Sequence, residues 1–159
     1  MKIRVGIGYD VHRLEEGREF WLGGIKIEHH KGAIGHSDAD VIIHAICDAL
    51  LGALNLGDIG KHFPDTNPEF KNIDSKKLLA DVFELIKGRG YKVGNVDVSL
   101  CLEKPKVGPY LPAMIKILSG ILKVQETEVS IKATTSEGMG FVGREEGVEA
   151  HAVVLISGN

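Results

Sequence analysis

The sequence predicts an α+β (mixed α/β) fold: a single domain over residues 1–159, with a mainly four-stranded mixed sheet packed on helices and a small N-terminal hairpin. Three observations lead there. Four segments carry strand-type alternation or β-branched runs. Three longer segments carry a helical period between capping and breaking residues. The two kinds are interspersed without the regular alternation of a doubly wound sheet, and no repeat or low-complexity linker divides the chain.

Residues 2–8 read as a strand, because Ile3, Val5 and Ile7 alternate with Lys2, Arg4 and Gly6. Residues 19–28 read as a hairpin, with Phe20-Trp21-Leu22 and Ile25-Lys26-Ile27 around Gly23-Gly24. Residues 29–35 read as a polar loop. Ser37 or Asp38 then caps a helix running to about residue 56. Pro64 and Pro68 mark residues 57–73 as loop, and a second helix spans 74–87 before Gly88-Arg89-Gly90. In the strand 91–103, Val96, Val98, Leu100 and Leu102 share a face. A loop over 105–109, a helix over 110–122, a strand over 129–133, a glycine loop over 137–147 and a closing strand over 148–156 complete the chain.

Composition narrows the function. A net charge of −3 argues against extended nucleic-acid binding, which needs a basic surplus. No apolar run approaches the ~18 residues of a membrane span, and the N-terminal stretch has no secretory or transit pattern. Cys47 and Cys101 lie in apolar stretches and read as free thiols of a reducing compartment, so a cytoplasmic location is expected.

Asp10-Val11-His12 ends the first strand, and side chains two apart point the same way. On the first helix, Ile42, Ile43, Ile46, Ala49, Leu50, Ala53 and Leu54 form an apolar face, while Asp40, His44 and Asp48 share the other side at i, i+4, i+8. His44 is then a metal ligand oriented by Asp40 and Asp48. Taken alone, each element also fits a solvated strand end or an exposed histidine with ordinary helical pairing. Together, Asp10, His12 and His44 suit Zn²⁺ with an open fourth position, the catalytic arrangement. His36-Ser37-Asp38 at the helix entrance suits phosphate. Lys132-Ala133-Thr134-Thr135-Ser136-Glu137 places three hydroxyls and a carboxylate at a strand end, where Glu137 suits Mg²⁺ or Mn²⁺ bridging phosphates. Lys106 and Lys132 offer further positive charge.

The segments Asp10-Val11-His12, His36-Ser37-Asp38-Ala39-Asp40-Val41, Asp58-Ile59-Gly60, Phe63-Pro64-Asp65-Thr66, Gly94-Asn95-Val96-Asp97, Pro105-Lys106 and Lys132-Ala133-Thr134-Thr135 through Arg144 stand in an order that resembles the 2-C-methyl-D-erythritol 2,4-cyclodiphosphate synthase family. The resemblance covers essentially the whole chain. It implies a homotrimer with sites between subunits, one Zn²⁺ per subunit and a second divalent cation, Mg²⁺ or Mn²⁺. It implies cyclisation of a cytidine diphosphate substrate with loss of CMP. By motif match, Asp10, His12 and His44 bind zinc, Glu137 binds the second cation, and His36 and Thr135 stabilise the transition state. Ser37, Asp58, Ile59, Gly60, Phe63, Pro64, Asp65, Thr66 and Asn67 hold the erythritol and phosphate portion. Leu102, Glu103, Lys104, Pro105, Lys106, Val107 and Gly108, with Thr134 and Ser136, hold the cytidine diphosphate, and Phe141 and Arg144 complete the surroundings. Three positions depart from the family pattern. Ala39 stands where glycine is commoner, Ser136 where a third threonine is commoner, and Glu145 where glycine is commoner, adding a negative charge beside Arg144. Two other readings fit the same residues: a zinc-dependent hydrolase of a nucleotide diphosphate, and a non-catalytic trimeric module binding nucleotide or isoprenoid phosphates.

Overall fold

A computed structural model describes residues Met1–Asn159. Its elements are β1 (Lys2–Glu16), β2 (Phe20–Leu22), β3 (Ile25–Ile27), β4 (Lys31–Ile34), α1 (Val41–Ala53), α2 (Ile59–His62), α3 (Ser75–Gly88), β5 (Tyr91–Cys101), α4 (Leu111–Leu122), β6 (Val129–Thr134), α5 (Gly140–Gly143) and β7 (Gly147–Gly158). The main sheet has five strands in the order β4-β1-β7-β5-β6, and only the β5–β6 pair is parallel. β2 and β3 form the separate expected hairpin, with Gly23 and Gly24 both at positive φ as a tight primed turn requires.

The fifth strand corrects the loop expected over residues 29–35. β4 folds back onto Arg13–Glu16, so β1 continues past His12 instead of ending there. Gly32 permits this, because a Cβ would meet the Glu19 carbonyl oxygen at 2.1 Å. The first helix also starts later than expected. Ser37 Oγ accepts from the Ala39 N–H and Asp38 Oδ1 from the Asp40 N–H, forming turns, and Ala39 sits at φ 57. The cap is therefore Asp40, whose carboxylate accepts from the Ile43 N–H. The expected loop over 57–73 contains the helical turn α2 and a 3₁₀ turn at Pro68–Phe70, and that over 137–147 contains the single turn α5.

Helices cover one face of the sheet. Val96, Val98 and Leu100 of β5 and Val148, Ala150, Ala152, Val154 and Ile156 of β7 point into that core. β1 joins it through glycines: a Cβ at Gly6 or Gly8 would stand 1.8 Å from the carbonyl oxygens of Ala49 or Ala45 on α1. Strand and helix thus touch backbone to backbone, and α1 is buried nearly all round. The apolar residues of β1 consequently face the other way. Ile3, Val5, Ile7, Tyr9 and Val11, with Val153 of β7, remain exposed on the uncovered face of the sheet, Ile7 at 71%. Cys47 is buried, Cys101 is only half-buried, and both are free thiols. No helix is long and apolar enough to cross a membrane.

Candidate metal and phosphate site

The close approach of β1 and α1 brings three donors to one point. Asp10 and His12 project from β1 on the side of α1, two residues apart on one pleat. His44 lies one turn into α1 and is buried. His12 Nε2 lies 2.9 Å from Asp10 Oδ2, and His44 Nδ1 lies 3.1 Å from the same oxygen and 3.2 Å from His12 Nε2. No other group of three such side chains in the chain meets this closely. One carboxylate oxygen and two imidazole nitrogens suit a divalent transition metal. Donors bound tetrahedrally at 2.0–2.1 Å would sit ~3.3 Å apart, so the existing separations need only a few tenths of an ångström of opening. Gly35 leaves room for the arrangement: a Cβ there would press on the His12 ring at 3.3 Å.

The charges agree with the geometry. Burial pushes the Asp10 carboxyl up, but hydrogen bonds and positive charge from His12 and His44 outweigh it and hold the group at about 2. Burial pulls the His44 imidazole down, while the Asp10 hydrogen bond and charge, helped by Asp40 and Asp38, carry it above its ordinary value. A carboxylate that stays ionised among histidines is a ready cation ligand.

These donors line a cavity of about 360 Å³ that also takes in His36, Ser37, Ile59, Gly60, Phe63 and Asp65. His36 Nε2 is buried with no hydrogen-bond partner in the chain, as befits a group kept for a ligand. Asp58 does not line this cavity; its carboxylate caps α2 by accepting from the Lys61 N–H at 3.0 Å. Neither do Pro64, Thr66 or Asn67, and Asn67 accepts from the Glu69 N–H to start a short turn.

The expected partners of His44 are corrected. Asp40 is fully buried and accepts from the N–H groups of Gly23, Gly24 and Ile43, tying the hairpin to α1. Asp48 accepts from the Ile59 N–H at 2.8 Å and so holds the loop after α1. Neither carboxylate reaches the His44 ring; Asp40 meets His44 only through its backbone carbonyl, which accepts from the His44 N–H at 3.0 Å. The ring Nε2 instead meets Ser75 Oγ at 2.9 Å and Ser37 Oγ at 3.1 Å, and Ser75 is in turn hydrogen-bonded to Asp38. Sequence reasoning missed Ser75 and Asp38 in this role, since nothing in their spacing from His44 signals the contact.

The second group of expected residues gathers elsewhere. Leu102, Glu103, Pro105, Lys106, Val107, Gly108, Thr134 and Thr135 line a separate cavity of about 220 Å³. It shares no residue with the first. Glu103 organises its rim, accepting from the N–H groups of Ser136 and Gly138 and from Ser136 Oγ. Glu137 is exposed at φ 55 and lies outside the Asp10 cluster. Lys104 points away from this cavity and pairs with Glu145 at 3.7 Å. Lys132 is paired with Asp97. Phe141 lies against β1 in a third cavity beside Val11, His12 and Arg13. Arg144 makes a two-pronged pair with Glu146 rather than meeting the Glu145 carboxylate. Ala39 and Glu145 both hold left-handed φ, 57 and 58, so two of the three departures place a side chain where glycine is favoured.

Residues 3–157 match the model of the YgbB family. The chain is 62% identical, over 98% of each sequence, to the 2-C-methyl-D-erythritol 2,4-cyclodiphosphate synthase of Phocaeicola vulgatus. It resembles the solved CDP-bound form of a 2C-methyl-D-erythritol-2,4-cyclodiphosphate synthase, with a TM-score of 0.90 and 40% identity over 97% of this chain and 100% of that one. It also resembles the bifunctional IspDF from Campylobacter jejuni, with a TM-score of 0.95 and 37% identity, over 99% of this chain and 43% of that longer chain.

Proposed function

Since the chain belongs to the YgbB family, as its match over residues 3–157 and its synthase relatives establish, we propose that its Asp10–His12–His44 cavity is the zinc half of a site that a neighbouring copy completes with its cytidine half. The chain is a 2-C-methyl-D-erythritol 2,4-cyclodiphosphate synthase by family, a phosphorus–oxygen lyase of isoprenoid biosynthesis. It cyclises 4-diphosphocytidyl-2-C-methyl-D-erythritol 2-phosphate and releases CMP. The observation that carries the site assignment is the meeting of three metal-type donors within 3.2 Å at the wall of a cavity of mixed polar and apolar lining.

In the reaction, an oxygen of the substrate's 2-phosphate attacks the β-phosphorus. A new P–O bond closes the ring, the bond from the β-phosphorus to the bridging oxygen breaks, and CMP leaves with that oxygen. No protein nucleophile is needed; the protein must fold a flexible polyanion and offset its charge. Bound zinc supplies Lewis acidity at a phosphate oxygen. His36, with its free Nε2, and the Ser37 hydroxyl contact the same phosphate region, while Ile59, Gly60, Phe63 and Asp65 enclose the erythritol. Lys106, Thr134 and Thr135, which line the second cavity, hold the cytidine diphosphate, and the exposed Glu137 carboxylate at its strand end would hold the second cation, Mg²⁺ or Mn²⁺. Stabilisation of developing charge by such fixed groups is the main catalytic term.

A homotrimer accounts for two features at once. The uncovered apolar face of β1 and β7 needs cover, since an exposed patch of that kind marks an interaction surface. The two cavities of one chain share no residue, so a ring of copies unites the zinc half of one with the cytidine half of the next. Phosphorus NMR of the product tests the chemistry. The cyclic diphosphate with CMP is expected; CMP with a linear bisphosphate would mean hydrolysis, and metal-dependent binding without turnover would mean a binding module.

A further inference from the structure

We propose that Ser75 and Asp38 are positioning residues for the metal site. Their carboxylate–hydroxyl–imidazole chain keeps the hydrogen of His44 on Nε2, so that Nδ1 presents its lone pair to the metal. The proposal rests on Asp10, His12 and His44 being metal ligands. It adds the device that decides which nitrogen of His44 serves.

The direction of the chain follows from what each group is able to donate. A carboxylate accepts only. Asp38 Oδ1 accepts from the Asp40 N–H at 3.2 Å, and Oδ2 from the Ser75 N–H at 2.9 Å, so both oxygens already face donors. The proton between Ser75 Oγ and Asp38 Oδ1 therefore belongs to serine. A serine hydroxyl has one proton. With that proton committed, Ser75 Oγ meets His44 Nε2 as an acceptor at 2.9 Å, and Nε2 carries the hydrogen. Ser37 Oγ, 3.1 Å from the same nitrogen, accepts from the Ala39 N–H and keeps its own proton free, so it adapts to either tautomer and decides nothing. Asp10 faces Nδ1 and would favour a hydrogen there. Once metal is bound, however, Asp10 is itself a ligand and the competition ends.

The placement supports a dedicated role. Ser75 is completely buried, so no bulk water replaces it. It is the first residue of α3, and Asp38 stands in the loop before α1. The chain therefore joins two helix starts behind the metal ligand. Hydroxyl or carboxylate partners of this kind fix ring orientation and tautomer, and losing one typically costs about 10–100-fold in metal affinity.

Zinc affinity by chelator competition, on the wild-type chain, Ser75→Ala, Asp38→Asn and the double variant, tests the idea. Each single variant should weaken zinc by about 10–100-fold. Asparagine places an amide donor among groups that need an acceptor, so it breaks the chain as surely as alanine. Because the two residues act in series, the double variant should lose little more than the weaker single variant. Nitrogen-15 NMR of zinc-loaded wild type should show a protonated Nε2 and a metal-bound Nδ1 on His44. Folded single variants that keep wild-type zinc affinity, losses that simply add, or a metal-bound Nε2 in the wild type would each overturn the proposal. The NMR result stands even if no variant folds. Failure of the wild type to bind one zinc would instead remove the metal assignment beneath it.

Discussion

Gly8→Ala adds one methyl group and should empty the metal site. A Cβ at residue 8 would lie 1.8 Å from the Ala45 carbonyl oxygen and 2.8 Å from the Ala49 nitrogen. Both atoms belong to the backbone of α1, so no side-chain rotation clears them. Moving the first contact out to 3.0 Å takes about 1.2 Å of separation between β1 and α1, in a core too densely packed to absorb it locally. β1 carries Asp10 and His12, and α1 carries His44. Their donor atoms now stand 2.9–3.2 Å apart. Opening the layers by that amount puts His44 Nδ1 beyond about 4 Å from Asp10 Oδ2, against the ~3.3 Å that donors share around one tetrahedral ion. Overpacking of this kind also costs about 1–3 kcal/mol. The assay is elemental analysis of the purified protein beside its urea midpoint. A folded variant with a lowered midpoint and little metal is expected. Full metal occupancy with an unchanged midpoint would refute the argument that the strand–helix spacing sets the ligand separation.

Asp40→Ala leaves the buried N–H groups of Gly23, Gly24 and Ile43 without an acceptor, and a loss of about 3 kcal/mol or more should appear in the urea midpoint; a loss below about 1 kcal/mol would contradict its role as the tie between hairpin and helix. Glu145→Gly relieves a left-handed residue, and the gain of about 1 kcal/mol should raise Tm by about 2–4 °C in a calorimetric scan; an unchanged or lower Tm would show that the strain is offset elsewhere. In the metal-free chain, burial lowers His44, but the Asp10 hydrogen bond and charge, with the charges of Asp40 and Asp38, carry it above its ordinary value. A raised folded-state value favours folding below the unfolded value near 6.5, and this contribution fades as pH rises through the higher folded value. Urea midpoints in chelator from about pH 6 to 9 should therefore fall more steeply for the wild type than for Asp10→Asn, and parallel curves would contradict the pairing.

Periodicity made much of this molecule readable before any coordinates. The i, i+2 spacing of Asp10 and His12 comes from local geometry that a chain cannot escape, whereas periodicity set His44 opposite the apolar face of its helix, and it is buried because α1 is enclosed nearly all round. The same reasoning identified the hairpin at Gly23-Gly24 and the buried face of β5. It failed where a residue's role depends on what packs against it. Alternation grouped Ile3, Val5 and Ile7, yet the covered side of β1 is the one bearing Gly6 and Gly8, because backbone contact with α1 excludes side chains there. β4 is only four residues long, includes a glycine, and exists because β1 extends to meet it. Asp40 does share the helix with His44, but the left-handed turn at Ala39 makes it the cap and sends its carboxylate to the hairpin. Ser75 reaches His44 across 31 residues of sequence, through a loop whose path no local pattern records.

The composite site is tested most directly by complementation. On the proposed reading, Asp10→Ala should remove the metal half of a subunit, and Thr135→Ala should weaken its cytidine half. Each variant alone should be impaired at every site. In a closed ring that joins subunit i to subunit i+1, random equal mixing leaves about a quarter of sites with both halves intact. Unfolding and refolding the two variants together should therefore restore about a quarter of wild-type CMP release, while refolding them apart and then mixing should restore none. Mixed assemblies that form but recover no activity would place the whole site within one chain and contradict the account.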